Sequence, residues 1–369
     1  MKKVSFVNYQ SSFKNLKKEI NKAIQGVLSR GDLILRKDVE DFEKKLAKFI
    51  GVKYAIGLNS GTDALFLSLK AAGIGQGDEV ITVSHTFVAS IATIAQAGAT
   101  PILVDVKEDF TMDENKIEAT ISGKTKAIIP VHLNGRMCNM DKIMEVAKKH
   151  NLVVIEDAAQ SLGASFKGQK AGSIGLTGCF SFYPAKILGC AGDGGALTTN
   201  DAAIAEKIRL LRDHGQKTKR EILCFGWNSR LDNLQAAILN VKLRYLTKWL
   251  KNRRIIAQKY NKNLAGIKEI KLPEPPDSDK RYFDVYQNYV LRAEKRDELF
   301  EFLKKKRVET LIKDPIPNHW QKGLGLEHFK LPVSERLAEE VISLPMYPEL
   351  TRDQQKYVIK CVKEFYEAA

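Results

Sequence analysis

Over the first two-thirds of the chain, hydrophobic positions alternate between two spacings. The runs "KYAIGL", "DEVITVS", "TPILVDV", "KAIIPVH" and "LVVIEDA" are short, rich in β-branched residues and bounded by turn residues, so they predict strands. Between them, "TDALFLSLKAAG", "ASIATIAQAGA" and "MDKIMEVAKKH" carry apolar residues at helical spacing. Strand and helix in alternation predict an α/β fold: a mostly parallel sheet covered by helices on both faces. Farther on, Leu231, Leu234, Ile238, Val241, Tyr245 and Trp249 share one face of a long predicted helix that leads out of this body. The proline-rich "LPEPPDSDK" near 272–280 breaks the pattern, after which "YQNYVLRA" reads as a strand and "KRDELFEFLKKKR" as a helix. The expected division is a large domain over 1–249, opening with a helical segment, and a smaller α+β domain over 250–369. No internal repeat or low-complexity tract interrupts it.

Composition narrows the setting. The net charge of +15 would attract phosphates, those of a nucleic acid included. The lysines, however, share helices with acids, as in "FEKKLAKF", and no nucleic-acid motif accompanies them, so none is expected. The same field suits an anionic small substrate. Five scattered cysteines without a CxxC pair point to a reducing cytoplasm. The opening "MKKVSFVNYQ" lacks the apolar stretch of a signal peptide or membrane span. The six histidines show no metal-ligand spacing, so no metal is expected.

Candidate chemistry gathers at predicted strand ends. "VVIEDAAQS" delivers Glu156 and Asp157 to the carboxyl edge of the sheet, where open α/β sheets bind ligands. A carboxylate buried there needs a positive partner, although a helix-capping Asp is the ordinary alternative. "NSGTDAL" places a Ser-Gly-Thr turn before a helix, a phosphate cradle or an ordinary N-cap. "SHTFVAS" sets Phe87 just past another strand, against a flat ligand or in the core. "FSFYPAKILGCAGDGG" puts Lys186 ahead of its glycines, the reverse of a Walker motif, which argues against a P-loop. Ser181 can donate to a phosphate, and Gly192, Gly194 and Gly195 let the backbone pass close to a bound group. Pyridoxal 5'-phosphate needs all these pieces: a lysine for the Schiff base, an acid at the pyridine nitrogen, a phosphate cradle and a group against the ring face.

Taken together, "NSGTDAL", "PVHLNG", "IEDAAQSLGA", "FSFYPAKILGCAGDGGALTTND", "LRDHG" and "GWNSRLDNLQAAIL" resemble the DegT/StrS-type sugar aminotransferases over essentially the whole chain. That resemblance implies a PLP-dependent enzyme of fold type I. It assigns Lys186 as the Schiff-base lysine, Asp157 to the pyridine nitrogen and Gln160 to the cofactor's phenolic oxygen. Gly61, Thr62 and Ser181 would hold the phosphate, and Phe87 would stack on the ring. Asn228 would reach the phosphate of a neighbouring subunit, which implies a homodimer with shared sites, and Arg230 would face a sugar nucleotide. Glutamate is the implied amino donor. Some relatives with other activities carry a histidine where Lys186 stands, so this lysine favours aminotransfer over dehydration. Tyr183 stands where relatives acting on 4-keto sugars have a histidine, which favours a 3-keto hexose linked to dTDP or UDP; a 4-keto sugar or cyclitol ketone is the alternative substrate, and a basic regulatory protein on the same scaffold the alternative class. Two departures bear on the substrate: "IKDPIPNHW" replaces "IHYPxPxH", putting Lys313 where a histidine is usual, and Asn134 replaces a tyrosine. Lys313 and His319 are the remaining expected substrate contacts.

Overall fold

The computed structural model of the chain describes residues 3–367, so the first two positions of the opening stretch and the last two of the C-terminal span lie outside the described residues. Seven strands form the central sheet: β1 (Tyr54–Leu58), β2 (Glu79–Val83), β3 (Thr100–Val104), β4 (Thr125–Ile128), β5 (Val153–Asp157), β6 (Thr177–Ser181) and β7 (Gly195–Thr199). Their order is β1-β7-β6-β5-β4-β2-β3. β7 alone runs against the others, antiparallel to both β1 and β6. The five strands expected from the pattern are present. β6 and β7 were not expected, because "TGCFS" and "GALTT" are short and carry glycine in place of a branched apolar run.

Strand residues alternate between two cores, as a period of two requires when both faces are covered. Ala55, Ile81, Ile128, Val154 and Phe180 point into one core, with Phe42 and Leu46 of helix α1 (Lys37–Ile50). Their neighbours Ile56, Val80, Ala127, Ile155 and Cys179 point into the other, with Leu65 and Leu69 of helix α2 (Gly61–Ala71).

The predicted long helix is two helices, α3 (Asn233–Leu243) and α4 (Leu246–Leu264). Between them, Arg244 and Tyr245 donate their amides three residues back, to Val241 and Lys242, tightening the chain into a turn. In α4, Leu246 and Leu250 join the first core, whereas Ile256, Tyr260 and Leu264 join a separate C-terminal core. We propose this handover as the boundary expected at 249/250. The C-terminal core lies on an antiparallel sheet of β8 (Ile270–Lys271), β9 (Tyr289–Ala293) and β10 (Val341–Leu344), in the order β8-β9-β10. One residue crosses over: Val4 bridges Val308 and is buried in the C-terminal core.

Candidate active site

At the end of β5, alternation sends Glu156 and Asp157 to opposite sides. Glu156 is fully enclosed and accepts hydrogen bonds from the amides of Gly172 (2.9 Å), Ile174 (2.7 Å) and Gly175 (2.8 Å) and from His132 Nε2 (3.0 Å). The Cys138 amide donates to His132 Nδ1 (3.1 Å), which leaves Nε2 as the donor to Glu156. Glu156 is therefore a satisfied structural acid. Asp157 faces a cavity of about 540 Å³. Its carboxylate accepts from Ser90 Oγ (2.7 Å) and from the Ala159 amide (3.2 Å), with no cation of the described residues within 4.0 Å. A nearly buried carboxylate supported only by neutral donors retains a need for a positive partner.

Lys186 lies on the loop joining β6 to β7. The loop is closed at its base by the Phe182 amide on Gly194 O and the Cys190 amide on Phe182 O, both 2.7 Å. Phe180 and Phe182 are buried, Phe182 edge-on to Phe42 at 5.3 Å, so the aromatic run anchors the loop while Ser181, Tyr183 and Lys186 turn to the cavity. Burial lowers the Lys186 amine from its ordinary value to about 8; the like charge of Lys313 acts in the same direction, and Asp157 opposes both.

The start of α2 supplies the phosphate cradle. Ser60 caps it through the Asp63 amide (3.0 Å), while the amides of Gly61 and Thr62 have no partner among the described residues. A Cβ on Gly61 would lie 2.8 Å from that of Ser181, so glycine lets the helix end meet the end of β6. Two of the loop glycines also serve close packing within the protein: a Cβ on Gly195 would overlap the Ser60 backbone, and one on Gly194 would lie 2.5 Å from Cys190 Sγ.

Gln160 Oε1 accepts the Asn134 amide (3.0 Å), which fixes the side-chain amide and leaves Nε2 as a donor. Asn134 adopts a left-handed conformation (φ 56°) that asparagine tolerates better than most residues. Phe87 follows β2, half exposed to the cavity, on a turn held by Asn318 Nδ2 at Ser84 O (2.8 Å) and Thr86 O (2.7 Å). Tyr183 is exposed at the cavity rim, and Lys313 enters from the C-terminal region with its Nζ 3.9 Å from Asp314. Burial lowers the Lys313 pKa as well.

Nine expected residues thus line one cavity: Gly61, Thr62, Phe87, Asp157, Gln160, Ser181, Tyr183, Lys186 and Lys313. His319 does not, which corrects the expectation of a substrate contact. It is fully buried, with Nδ1 at Ser84 Oγ (2.7 Å) and Nε2 at Glu335 Oε1 (3.2 Å), so both ring nitrogens are committed within the protein. Asn228 and Arg230 also lie outside their own chain's cavity; Asn228 bridges Asp213, whose carboxylate accepts from Arg230 Nη1 (2.9 Å). Gln287 and Asn288 line the cavity without having been expected, because "YQNY" read only as a strand.

These groups fit pyridoxal 5'-phosphate: free helix-end amides and a hydroxyl for the phosphate, an unpaired buried acid, an amide donor, an exposed ring and a lysine whose amine burial lowers to about 8. Fold and cavity together define a PLP-dependent aminotransferase of fold type I. Residues 14–363 match the DegT/DnrJ/EryC1/StrS aminotransferase family, and the chain belongs to that family. It is 43% identical over 367 residues to the pleiotropic regulatory protein of Geobacillus stearothermophilus, covering 98% of each chain. It is also 43% identical over 366 residues to the dTDP-3-amino-3,6-dideoxy-alpha-D-galactopyranose transaminase of Aneurinibacillus thermoaerophilus, covering 98% of this chain and 99% of that protein. The crystal structure of S. venezuelae DesV in complex with a ketimine intermediate superposes with a TM-score of 0.96 at 40% identity, over 100% of this chain and 99% of that one.

Proposed function

We propose that the protein transfers the amino group of glutamate to a nucleotide-linked keto sugar, a dTDP- or UDP-linked 3-keto hexose. The observation that carries this reading is the convergence of Lys186 and Asp157 on one cavity beside a phosphate cradle. Pyridoxal 5'-phosphate, when bound, supplies a carbonyl for the incoming amine and a ring that takes up the electron pair left by a departing proton. The Gly61 and Thr62 amides and the Ser181 hydroxyl would hold its phosphate, and Phe87 would cover the ring face. Asp157, fixed by Ser90, would keep a proton on the pyridine nitrogen. Gln160 would donate from Nε2 to the phenolic oxygen. Lys186, its amine lowered to about 8, would carry a proton between the substrate carbon and the cofactor in each half of the reaction. The half-buried Lys313 would meet an anionic group of the substrate.

The 3-keto assignment draws on Tyr183 and on the Aneurinibacillus relative, whose name specifies a 3-amino sugar. A panel of dTDP- and UDP-linked 3-keto and 4-keto sugars, incubated with glutamate and read by product mass and NMR, tests it. At least tenfold preference for a 4-keto sugar or a cyclitol ketone would overturn the assignment. The Geobacillus relative carries a regulatory name, and a basic regulatory protein on this scaffold is the competing class. The intact Lys186–Asp157 cavity favours the enzyme, and a colourless protein that cannot be reconstituted with PLP would favour the regulator.

A homodimer with shared sites is part of the proposal. Asn228 and Arg230 lie outside their own cavity on a segment that exposes Ile222, Leu223 and, at 97%, Phe225. If this segment serves the neighbouring subunit, mixing Asn228→Ala with Lys186→Ala under conditions of subunit exchange yields hybrids with one intact site. Recovery of about a quarter of wild-type activity is expected, and none would contradict sharing. A cytoplasmic location is proposed from five unpaired cysteines, with no helix among the described residues long and apolar enough to cross a membrane.

A further inference from the structure

Lysine carries its amine on a flexible four-carbon stem, so the position of Nζ depends on how firmly the backbone beneath it is held. The loop bearing Lys186 is tied at its base, but near residues 185–187 the only tie within the loop is the Lys186 amide on Tyr183 O (2.8 Å). The remaining support comes from about a hundred residues away. Gln287, buried just before β9, accepts the Ile187 amide at Oε1 (2.8 Å) and donates from Nε2 to Ala185 O (2.9 Å). One side-chain amide thus grips the peptide groups on both sides of Lys186. The carbonyl of Gln287 is itself held by buried Arg253 Nη1 (3.2 Å), which also binds the carbonyls of Tyr286 (3.0 Å) and Met346 (3.1 Å). The next residue, Asn288, donates to Asn134 Oδ1 (3.2 Å) and, at 3.4 Å, to Gln160 Oε1.

We infer that Gln287 is a positioning residue for Lys186, a clamp through which the C-terminal core sets the lysine's place in the cavity. The clamp requires a donor and an acceptor at one side-chain end, each within reach of a different peptide. Glutamate keeps the acceptor for Ile187 but opposes the Ala185 carbonyl; methionine keeps the volume and loses both bonds. Neither geometry nor bonding here depends on bound cofactor, although the inference rests on Lys186 being the cofactor lysine.

The test compares holoenzyme carrying Gln287→Met or Gln287→Glu with wild type. Three quantities are read: the midpoint of the pH titration of the visible band, the PLP dissociation constant and kcat. The inference expects the midpoint to move by at least half a pH unit and kcat to fall at least tenfold in Gln287→Met. Gln287→Glu should lie between Gln287→Met and wild type, and PLP affinity should change less than threefold. A lowered Tm with unmoved midpoint and kcat would mean that Gln287 only stabilises the fold, and would overturn the inference. Borohydride reduction of wild-type holoenzyme, followed by peptide mapping, separates the two claims. Label on another lysine defeats the site assignment, whereas label on Lys186 with unaffected Gln287 variants defeats the clamp alone.

Discussion

The two sides of the cavity are built in different ways. On the cofactor side, most groups leave the carboxyl end of a central strand or the first turn of the helix after it: Asp157 from β5, Ser181 from β6, Gly61 and Thr62 from the start of α2; Lys186 is the exception, on a loop tied at its base and held by Gln287. Each is fixed by buried neighbours or hydrogen bonds to the backbone. On the substrate side, Tyr183 is exposed on a loop, Lys313 has no hydrogen-bond partner among the described residues, and Arg230 lies outside its own cavity. Backbone held at strand ends or by ties such as those around Lys186 fixes the cofactor chemistry, while less tethered groups leave room for the choice of substrate.

The contrast makes graded predictions. Lys186→Ala should bind PLP yet lose transamination by about 10⁴-fold or more, since both the covalent anchor and the proton carrier are gone. Asp157→Asn removes the acid while keeping the Ser90 hydrogen bond; turnover should fall by about 10³-fold with an unchanged Tm, and near-normal rates would remove Asp157 from the mechanism.

Substrate-side changes should be milder. Lys313→Met should raise KM for the sugar nucleotide by about tenfold, the equivalent of about 1.4 kcal/mol. It should also move the pH profile. Lys313 is a like charge that helps lower Lys186 to about 8, so its removal lets Lys186 hold its proton more tightly. The rising limb of kcat then shifts to higher pH, and a shift to lower pH would contradict the electrostatics. The smallest catalytic effect belongs to His319→Gln, which should lower Tm through the lost Ser84 and Glu335 contacts while leaving KM within twofold. A large rise in KM would return His319 to the substrate site.

The same division governs what the sequence revealed. Lys186, Asp157 and the Ser-Gly-Thr turn were legible because each motif is contiguous and sits where an apolar run stops. β6 and β7 were hidden because their glycines, Gly178 and Gly195, serve close packing against Gly172 and Ser60, which depletes the apolar signal of a strand. The break at Arg244–Tyr245 was hidden because both helices bury residues against the same body, so the apolar spacing continues through the turn. Gln287 was out of reach because its partners lie 100 and 102 residues away. His319 misled because "PNHW" does not disclose that Ser84, 235 residues distant, occupies its ring.

The most direct measurement follows the visible band of the holoenzyme through each half of the reaction. Glutamate alone should abolish the yellow band of the wild type, and a nucleotide-linked 3-keto sugar added after removal of free glutamate should restore it, with neither change in Lys186→Ala. A wild-type band that persists in excess glutamate, or that no nucleotide-linked keto sugar restores, would contradict the assignment of this cavity to amino transfer.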